Sequence, residues 1–277
     1  MDNTILNILA STRSSASTWS DYLKQCLPWY NLYKIEKDFW LTHILHWSAV
    51  NTPDLVFKWG TCLNKCYFWY YRLSEDLDFS VVSSANRKGR SKLLETIFDQ
   101  LGIYLSSLGM TLIEQRKRDE SRFGGMRRSY KSDIDEKEQT IQFDFKIIDW
   151  YQLPTQQQKI KDIFTHPLTG ERLFDDQTIQ CISLEEAMAE KVRAWLTRKK
   201  PAIRDLYDIR YAKKHWFVFE TIMDLIKYKV DEVWWEIVLY DAYDELKKQI
   251  ETDLVPVIHN ADTFEFDDTF EFVRELI

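Results

Sequence analysis

The stretch FKWGTCLNKCYFWYYRLSEDLDFS, residues 57–80, places two aspartates one residue apart inside an apolar, strand-like run. Alternate residues of a strand point to the same face, so we expect Asp76 and Asp78 to lie side by side while Leu77 and Phe79 face the core. Neighbouring carboxylates repel each other unless a cation lies between them. Two such groups suit Mg²⁺, and the alternative is an edge strand with two solvated acids.

The residues before this pair predict an anion-binding loop. A short strand, DLVFKW, is turned by Gly60 and Thr61 into a helix. Glycine lets the backbone approach a ligand closely, and the N–H groups that begin a helix can bind an anion. The Thr61 hydroxyl can bind a phosphate oxygen, and Lys58 lies nearby. A phosphate loop before a metal-binding aspartate pair is the arrangement needed to transfer a nucleotide.

Composition limits the class of protein. The chain has 277 residues, of which 45% are hydrophobic, enough for a packed core in one large domain or two ordinary ones. The net charge of −7 gives no global basic field for nucleic acid. Two local basic runs, residues 87–92 and 116–128, are first interpreted as solvated faces.

The cysteines and the apolar pattern indicate the cellular compartment that we expect for the protein. Cys62 and Cys66 fit one face of a helix, but no second pair completes a zinc site. We expect reduced, buried thiols in a cytoplasmic protein. The first residues lack a signal-peptide pattern, and no stretch approaches 18 apolar residues, so we expect no membrane span.

The order of elements predicts strands and helices first, then helices alone. Residues 149–180 are turn-rich, and from Ser183 onward the pattern is helical, beginning with a capping box of Ser183 and Glu186. We place a domain boundary near residue 180, between a domain of residues 1–180 and one of residues 181–277. The earlier elements are helices over residues 17–50, 61–71 and 87–108 and strands over residues 54–59, 76–82, 110–118, 126–134 and 140–148. In the last strand Asp144 falls on the polar face.

The sequence signals for other kinds of functional site are weak. His43 and His46 share a helix but have no evident third ligand, so core or surface histidines are the simpler interpretation. The sequence has no G-x-S-x-G elbow and no Walker A loop, which disfavours a serine hydrolase and a P-loop kinase.

Residues 57–80 resemble the signature of the AbiEii-like nucleotidyltransferases, which are toxins of type IV toxin–antitoxin and abortive-infection systems. The segments IEKDFWLTHILHW and EEAMAEKVRAWLTRKKPAIRDLYDI are also similar, so the resemblance covers residues 35 to 210. It implies an α+β fold, with a polymerase β-like mixed sheet and flanking helices followed by a C-terminal helical bundle. One departure is Trp59-Gly60, where the family usually has tandem glycine.

The resemblance also implies roles. Asp76 and Asp78 would bind divalent ions, Mg²⁺ or Mn²⁺, with Asp144 as the third carboxylate. A solvated Asp144, a surface Lys191 and a helix-capping Asp205 are the simpler alternatives for those residues. The full set comprises catalytic Asp76, Asp78, Asp144, Lys191 and Asp208, and nucleotide-binding Lys58, Gly60, Thr61, Arg72, Ser74 and Asp205.

The function implied is a metal-dependent nucleotidyltransferase toxin. It would transfer a nucleotide from a nucleoside triphosphate to an acceptor hydroxyl, above all the 3′ end of an RNA such as tRNA, with a protein hydroxyl as a variant. A cognate antitoxin is the implied partner. One alternative is a non-catalytic nucleotide-binding protein on the same scaffold. Another is an interaction module around Trp234 and Trp235.

Overall fold

The structure, a computed structural model, describes residues 16–167, 169–198, 200–233, 243–259 and 264–276. It divides into two compact units. The first takes its described residues from Met1–Tyr151 and Thr155–Cys181, and the second from Gln152–Pro154 and Ile182–Ile277.

The first unit contains four helices and seven strands among its described residues. The π-helical turn Leu63–Tyr67 continues α3 directly. The bounds are α1 Ala16–Cys26, α2 Leu32–Asn51, β1 Val56–Lys58, α3 Trp59–Cys62, β2 Asp76–Val82, α4 Arg87–Ser107, β3 Thr111–Arg118, β4 Phe123–Lys131, β5 Glu138–Ile148, β6 Gln156–Lys159 and β7 Thr178–Cys181.

The strands form one mixed sheet in the order β3-β4-β5-β2-β1-β7-β6. Strands β2 and β5 pair in parallel, as do β1 and β7, and the other neighbours are antiparallel. The predicted α+β class, with a mixed sheet and helices, is confirmed.

Alternation along β2 and β5 builds one buried face of the sheet. Leu77 and Phe79 on β2 and Phe143 and Phe145 on β5 are at most 1% exposed. The rings of Phe79 and Phe145 stack at 5.9 Å, and Phe98 of α4 packs edge-on against Phe145 at 5.8 Å. Helix α4 therefore covers this apolar face, and the polar residues between the apolar ones point to the other face.

Three predicted boundaries of the first unit are wrong. Residues 17–50 are two helices, because Pro28 interrupts the pattern and Asn31 caps α2 by accepting a hydrogen bond from the Tyr33 N–H. The helix after Gly60 ends at Tyr67 rather than Tyr71. Strand β4 begins at Phe123, so it includes two glycines that the prediction left outside.

Two strands were missed in the region predicted as turn-rich. Strands β6 and β7 have four residues each; QQQK has no apolar residue, and TIQC alternates over too few residues to predict a strand. They form because they pair with each other and β7 pairs with β1. Such short strands depend on tertiary pairing more than on local pattern.

The second unit is helical. Its elements are α5 Leu184–Thr197, α6 Ile203–Lys214, α7 Met223–Asp231, α8 Tyr243–Gln249 and α9 Phe266–Glu275, with short 3₁₀ and π turns at Phe219–Ile222, Ile250–Leu254 and Val255–Val257. The predicted cap of α5 is confirmed, because the Ser183 hydroxyl accepts a hydrogen bond from the Glu186 N–H. Trp234 and Trp235 lie outside the described residues.

Candidate active site

Three carboxylates share the face of the sheet opposite α4. Asp78 on β2 pairs directly with Asp144 on β5, and Asp76 pairs with Gln142. Leu77, Phe79, Phe143 and Phe145, which flank the aspartates, are buried on the opposite face, and the aspartates themselves are half-buried. The two-residue alternation, with the pairing of β2 and β5, thus brings Asp76, Asp78 and Asp144 onto one face of adjacent strands.

The three carboxylates are adjacent but not tightly clustered. Gln142 Nε2 donates a hydrogen bond to Asp144 Oδ1 at 3.3 Å. In the described part of the chain, the group of three ligand atoms that all lie within 4.8 Å of one another belongs to Cys62, Cys66 and Cys181 instead. Carboxylates that repel each other are expected to stand apart, and oxygen donors on one half-buried face suit a hard divalent cation.

The predicted phosphate loop begins opposite Asp78. Lys58 pairs with Asp78 across β1 and β2 and is 6% exposed. The next residue, Trp59, has a φ of 63°, in the left-handed region that favours glycine. Trp59 therefore stands where the family usually has a glycine, and its backbone conformation is still one that suits glycine.

Gly60 makes room for a side chain of the same unit. A Cβ atom on Gly60 would lie 2.5 Å from an Arg72 guanidinium nitrogen and 3.0 Å from the Ser74 hydroxyl. Arg72 is 2% exposed and donates to the carbonyl of Leu73 at 3.1 Å. The sequence predicted a close approach of a ligand at Gly60, and in the structure Arg72 and Ser74 make that approach.

Thr61 joins the loop to the aspartate strand. It is 1% exposed, and its hydroxyl donates to the backbone carbonyl of Asp76 at 2.5 Å. The hydroxyl predicted to bind a phosphate thus holds the start of β2 in this structure. Glu75, which the sequence analysis left outside the site, forms ion pairs with Lys34 and Lys37. Burial opposes ionisation of Glu75, but the two lysines outweigh it and lower the pKa of Glu75.

A buried polar cluster supports the loop that leads to the aspartates, and the sequence analysis missed it. Lys65 Nζ donates to Asp38 Oδ2 at 2.7 Å, to Thr42 Oγ1 at 2.9 Å and to the Tyr70 hydroxyl at 2.6 Å. Burial, partly offset by Asp38, lowers the pKa of Lys65. A lysine in a helical turn is ordinarily interpreted as solvated, and Asp38, 27 residues away on another helix, gives no local signal of the pairing.

In the second unit, the predicted residues of α5 and α6 form an ion cluster. Lys191 Nζ lies 2.5 Å from Asp205 Oδ1 and 2.9 Å from Asp208 Oδ2. Arg198 also contacts Asp205, at 2.7 Å. Lys191 is 3% exposed and Asp208 is fully buried, so Lys191 is not a surface lysine. Asp205 makes these ion pairs from the first turn of α6, whose N-cap residue, Ala202, offers no side-chain bond.

The cysteines are free and largely buried. Cys62, Cys66 and Cys181 are at most 2% exposed and Cys26 is partly exposed. Burial raises the pKa of the Cys62 and Cys181 thiols. The prediction of buried thiols without a disulfide is confirmed for these three residues.

The comparison with family models identifies the class of protein. The family model described as "Nucleotidyl transferase AbiEii toxin, Type IV TA system" matches residues 47–265. The chain belongs to this family, and it is accordingly a nucleotidyltransferase and a toxin of the type IV toxin–antitoxin class. Enzymes of this class generally use divalent metal ions.

Solved structures agree on the fold. JHP933 from Helicobacter pylori superposes with a TM-score of 0.52 at 18% identity, covering 89% of this chain and 91% of that chain. A second H. pylori protein, proposed to be a nucleotidyltransferase, gives a TM-score of 0.52 at 16% identity, covering 88% and 92%. No curated protein matches the sequence. In the ranges that the structure describes, every helix is too short or too polar to cross a membrane.

Proposed function

We propose that the protein transfers a nucleotide from a nucleoside triphosphate to the 3′-terminal hydroxyl of an RNA, at the face that carries Asp76, Asp78 and Asp144. The observation that carries the proposal is the direct pairing of Asp78 with Asp144, which sets a carboxylate of β5 beside the Asp-x-Asp pair of β2. The family assignment supports the reaction class. The choice of RNA as acceptor is the finer part of the proposal.

These carboxylates fit Mg²⁺ or Mn²⁺. Asp76 and Asp78 would hold the ions, which offset the charge of the triphosphate when bound. Asp144 accepts the proton of the attacking hydroxyl. The hydroxyl oxygen forms a bond to the α-phosphorus, the bond to the bridging oxygen breaks, and pyrophosphate leaves. Most of the protein's contribution is positioning and electrostatics.

The nucleotide lies on the β1 side of the aspartates in this proposal. Lys58, Gly60 and Thr61 line that side, and Arg72 and Ser74 sit directly on Gly60. Arg72 supplies a planar donor fork next to the loop, and such forks suit phosphate oxygens. Within the second unit, Asp205 and Asp208 hold the Lys191 ammonium in one position.

The test is transfer of label from each α-³²P-labelled triphosphate to total RNA in the presence of Mg²⁺. We expect the variants Asp76→Asn, Asp78→Asn and Asp144→Asn to lose roughly a thousand-fold in rate, since removing a ligand of this kind forfeits several kcal/mol of transition-state stabilisation. Glu75→Gln is the matched control, because Glu75 adjoins Asp76 yet pairs with Lys34 and Lys37. Triphosphate binding without transfer in the wild type would favour the non-catalytic alternative.

A further inference from the structure

The aspartate face continues past Asp144 onto two strands that carry basic side chains. Arg116 of β3 pairs with Gly125 of β4, which pairs with Asp144. One step along the strands, Arg118 pairs with Phe123, which pairs with Lys146. One step the other way, Glu114 pairs with Arg127, which pairs with Gln142. Directly paired residues share a face. We call Arg116, Arg118, Arg127 and Lys146 the cationic strip.

The strip is a local excess of positive charge on an acidic protein. Glu114 lies among these cations and contacts two of them, Arg116 at 3.0 Å and Arg127 at 3.5 Å. The side chains of Arg116 and Arg127 are 42% and 45% exposed, and Arg118 is exposed. A chain with a net charge of −7 that keeps this strip beside its carboxylates has a surface suited to a polyanion.

The remaining basic residue of β3, Lys117, serves the opposite face. Lys117 contacts Glu95 of α4 at 2.5 Å, and a Cβ atom on Gly124 would meet Leu94 and Phe98 of the same helix. Helix α4 therefore occupies that face. The alternation along β3 separates charges used for packing against α4 from charges left on the aspartate face.

Gly125, which has no side chain, lies between Arg116 and Asp144 in the sheet. At Gly125 a Cβ atom would lie 3.2 Å from Arg116 Nε and 3.3 Å from Asp144 Oδ1, so the glycine lets the arginine reach the aspartate's side. On the next row the half-buried ring of Phe123 lies 5.9 Å from Lys146 Nζ. Cations with an aromatic ring between them are the elements that bind single-stranded nucleic acid, through phosphates and base stacking.

We propose that the cationic strip binds the 3′-terminal strand of the acceptor RNA, with phosphates on Arg116, Arg118 and Arg127 and the terminal hydroxyl at Asp144. The inference rests on the proposed function. The successively paired residues Lys58, Asp78, Asp144, Gly125 and Arg116 form one row across the sheet. In the proposed function the nucleotide occupies the β1 end of this row. An in-line reaction needs the attacking and leaving oxygens on opposite sides of the phosphorus. The acceptor therefore approaches from the β3 end, over the strip.

The experiment compares Arg116→Gln/Arg118→Gln with Lys117→Gln, a control on the same strand whose side chain serves the α4 face. Binding of a 5′-fluorescein single-stranded RNA is measured by anisotropy over a range of KCl concentrations, and transfer kinetics are measured with varied RNA and varied triphosphate. We expect the double variant to raise Kd and the KM for RNA at least tenfold, with kcat and the KM for triphosphate within twofold. Each lost phosphate contact should lower the slope of log K against log salt by about 0.7. Lys117→Gln should match the wild type.

The outcomes separate the two proposals. If the wild type labels RNA and the double variant binds and uses RNA as well as the wild type does, the role proposed for the strip is overturned. The proposed function then stays intact. A wild type that does not bind RNA and labels a protein instead would overturn both the strip and the RNA acceptor. Asp76→Asn keeps the strip, so it should bind RNA normally while losing transfer.

Discussion

Asp78 and Asp144 are direct neighbours on adjacent parallel strands, although 65 residues separate them in the chain. Their carboxylates share one half-buried face, and the residues around them fill the core on the other. This pairing turns an Asp-x-Asp motif into a three-carboxylate site. It also sets the predicted phosphate loop on one side of the acids and the cationic strip on the other.

The Thr61 hydroxyl is expected to act mainly through structure. Thr61→Val keeps the shape but removes the donor to the Asp76 carbonyl, which we expect to reduce the free energy of unfolding by about 1–3 kcal/mol. Urea denaturation measures this, and Thr61→Ser, which keeps the hydroxyl, is the control. A Thr61→Val protein with wild-type stability and only a raised KM for triphosphate would show that the hydroxyl acts on phosphate alone.

The ion cluster of α5 and α6 is expected to be sensitive to loss of its cation. Lys191→Met leaves Asp205 and Asp208 facing each other in a buried site, which we expect to lower the free energy of unfolding by about 3–5 kcal/mol. The exposed Lys227 of the same unit gives the control, Lys227→Met, with little change. Adding Asp208→Asn should recover part of the loss. If Lys191→Met unfolds like the wild type, the cluster is not a stabilising one.

The local sequence predicted the elements that carry the aspartates because their apolar period is strong. Strand β2 and the polar placement of Asp144 follow from alternation alone, and helix α4 from its leucine stripe. The pairing of Asp78 with Asp144 does not follow, since register between distant strands is set by tertiary packing. The same holds for Arg72 on Gly60 and for the buried Lys65, whose partners lie on other elements.

Trp59 is expected to show the backbone preference of a glycine. Its φ of 63° costs a residue with a Cβ atom about 1 kcal/mol, so Trp59→Gly should unfold at higher urea than Trp59→Ala, the reverse of the usual order. Both variants lose the same ring, so the comparison isolates the backbone. Equal stability of the two, or greater stability of the alanine variant, would contradict a left-handed Trp59.

The buried histidines of α2 are expected to make the first unit acid-sensitive. Burial lowers the pKa of His43 to about 4 and of His46 to about 4. Since an unfolded histidine titrates near 6.5, the unfolded state binds more protons between these values. The contribution of each neutral histidine to the free energy of unfolding is therefore complete above pH 6.5 and is lost as the pH falls toward 4. At pH 5 the loss is about 2 kcal/mol per histidine.

Urea denaturation at pH 7.5 and pH 5 checks this. His43 Nδ1 lies 2.7 Å from the Tyr104 hydroxyl, so His43→Gln keeps a polar partner for that hydroxyl while removing the titration. The stability difference between the two pH values should shrink by about 2 kcal/mol in the variant. An unchanged difference would assign the acid sensitivity to other groups.

The most direct test of the three-carboxylate site is a crystal grown with Mn²⁺ and a non-hydrolysable triphosphate, examined for anomalous scattering. We predict a manganese peak bound by carboxylate oxygens of Asp76 and Asp78, with Asp144 beside it and the triphosphate extending toward Gly60. A triphosphate and manganese bound elsewhere, with these three aspartates facing only water, would contradict the account.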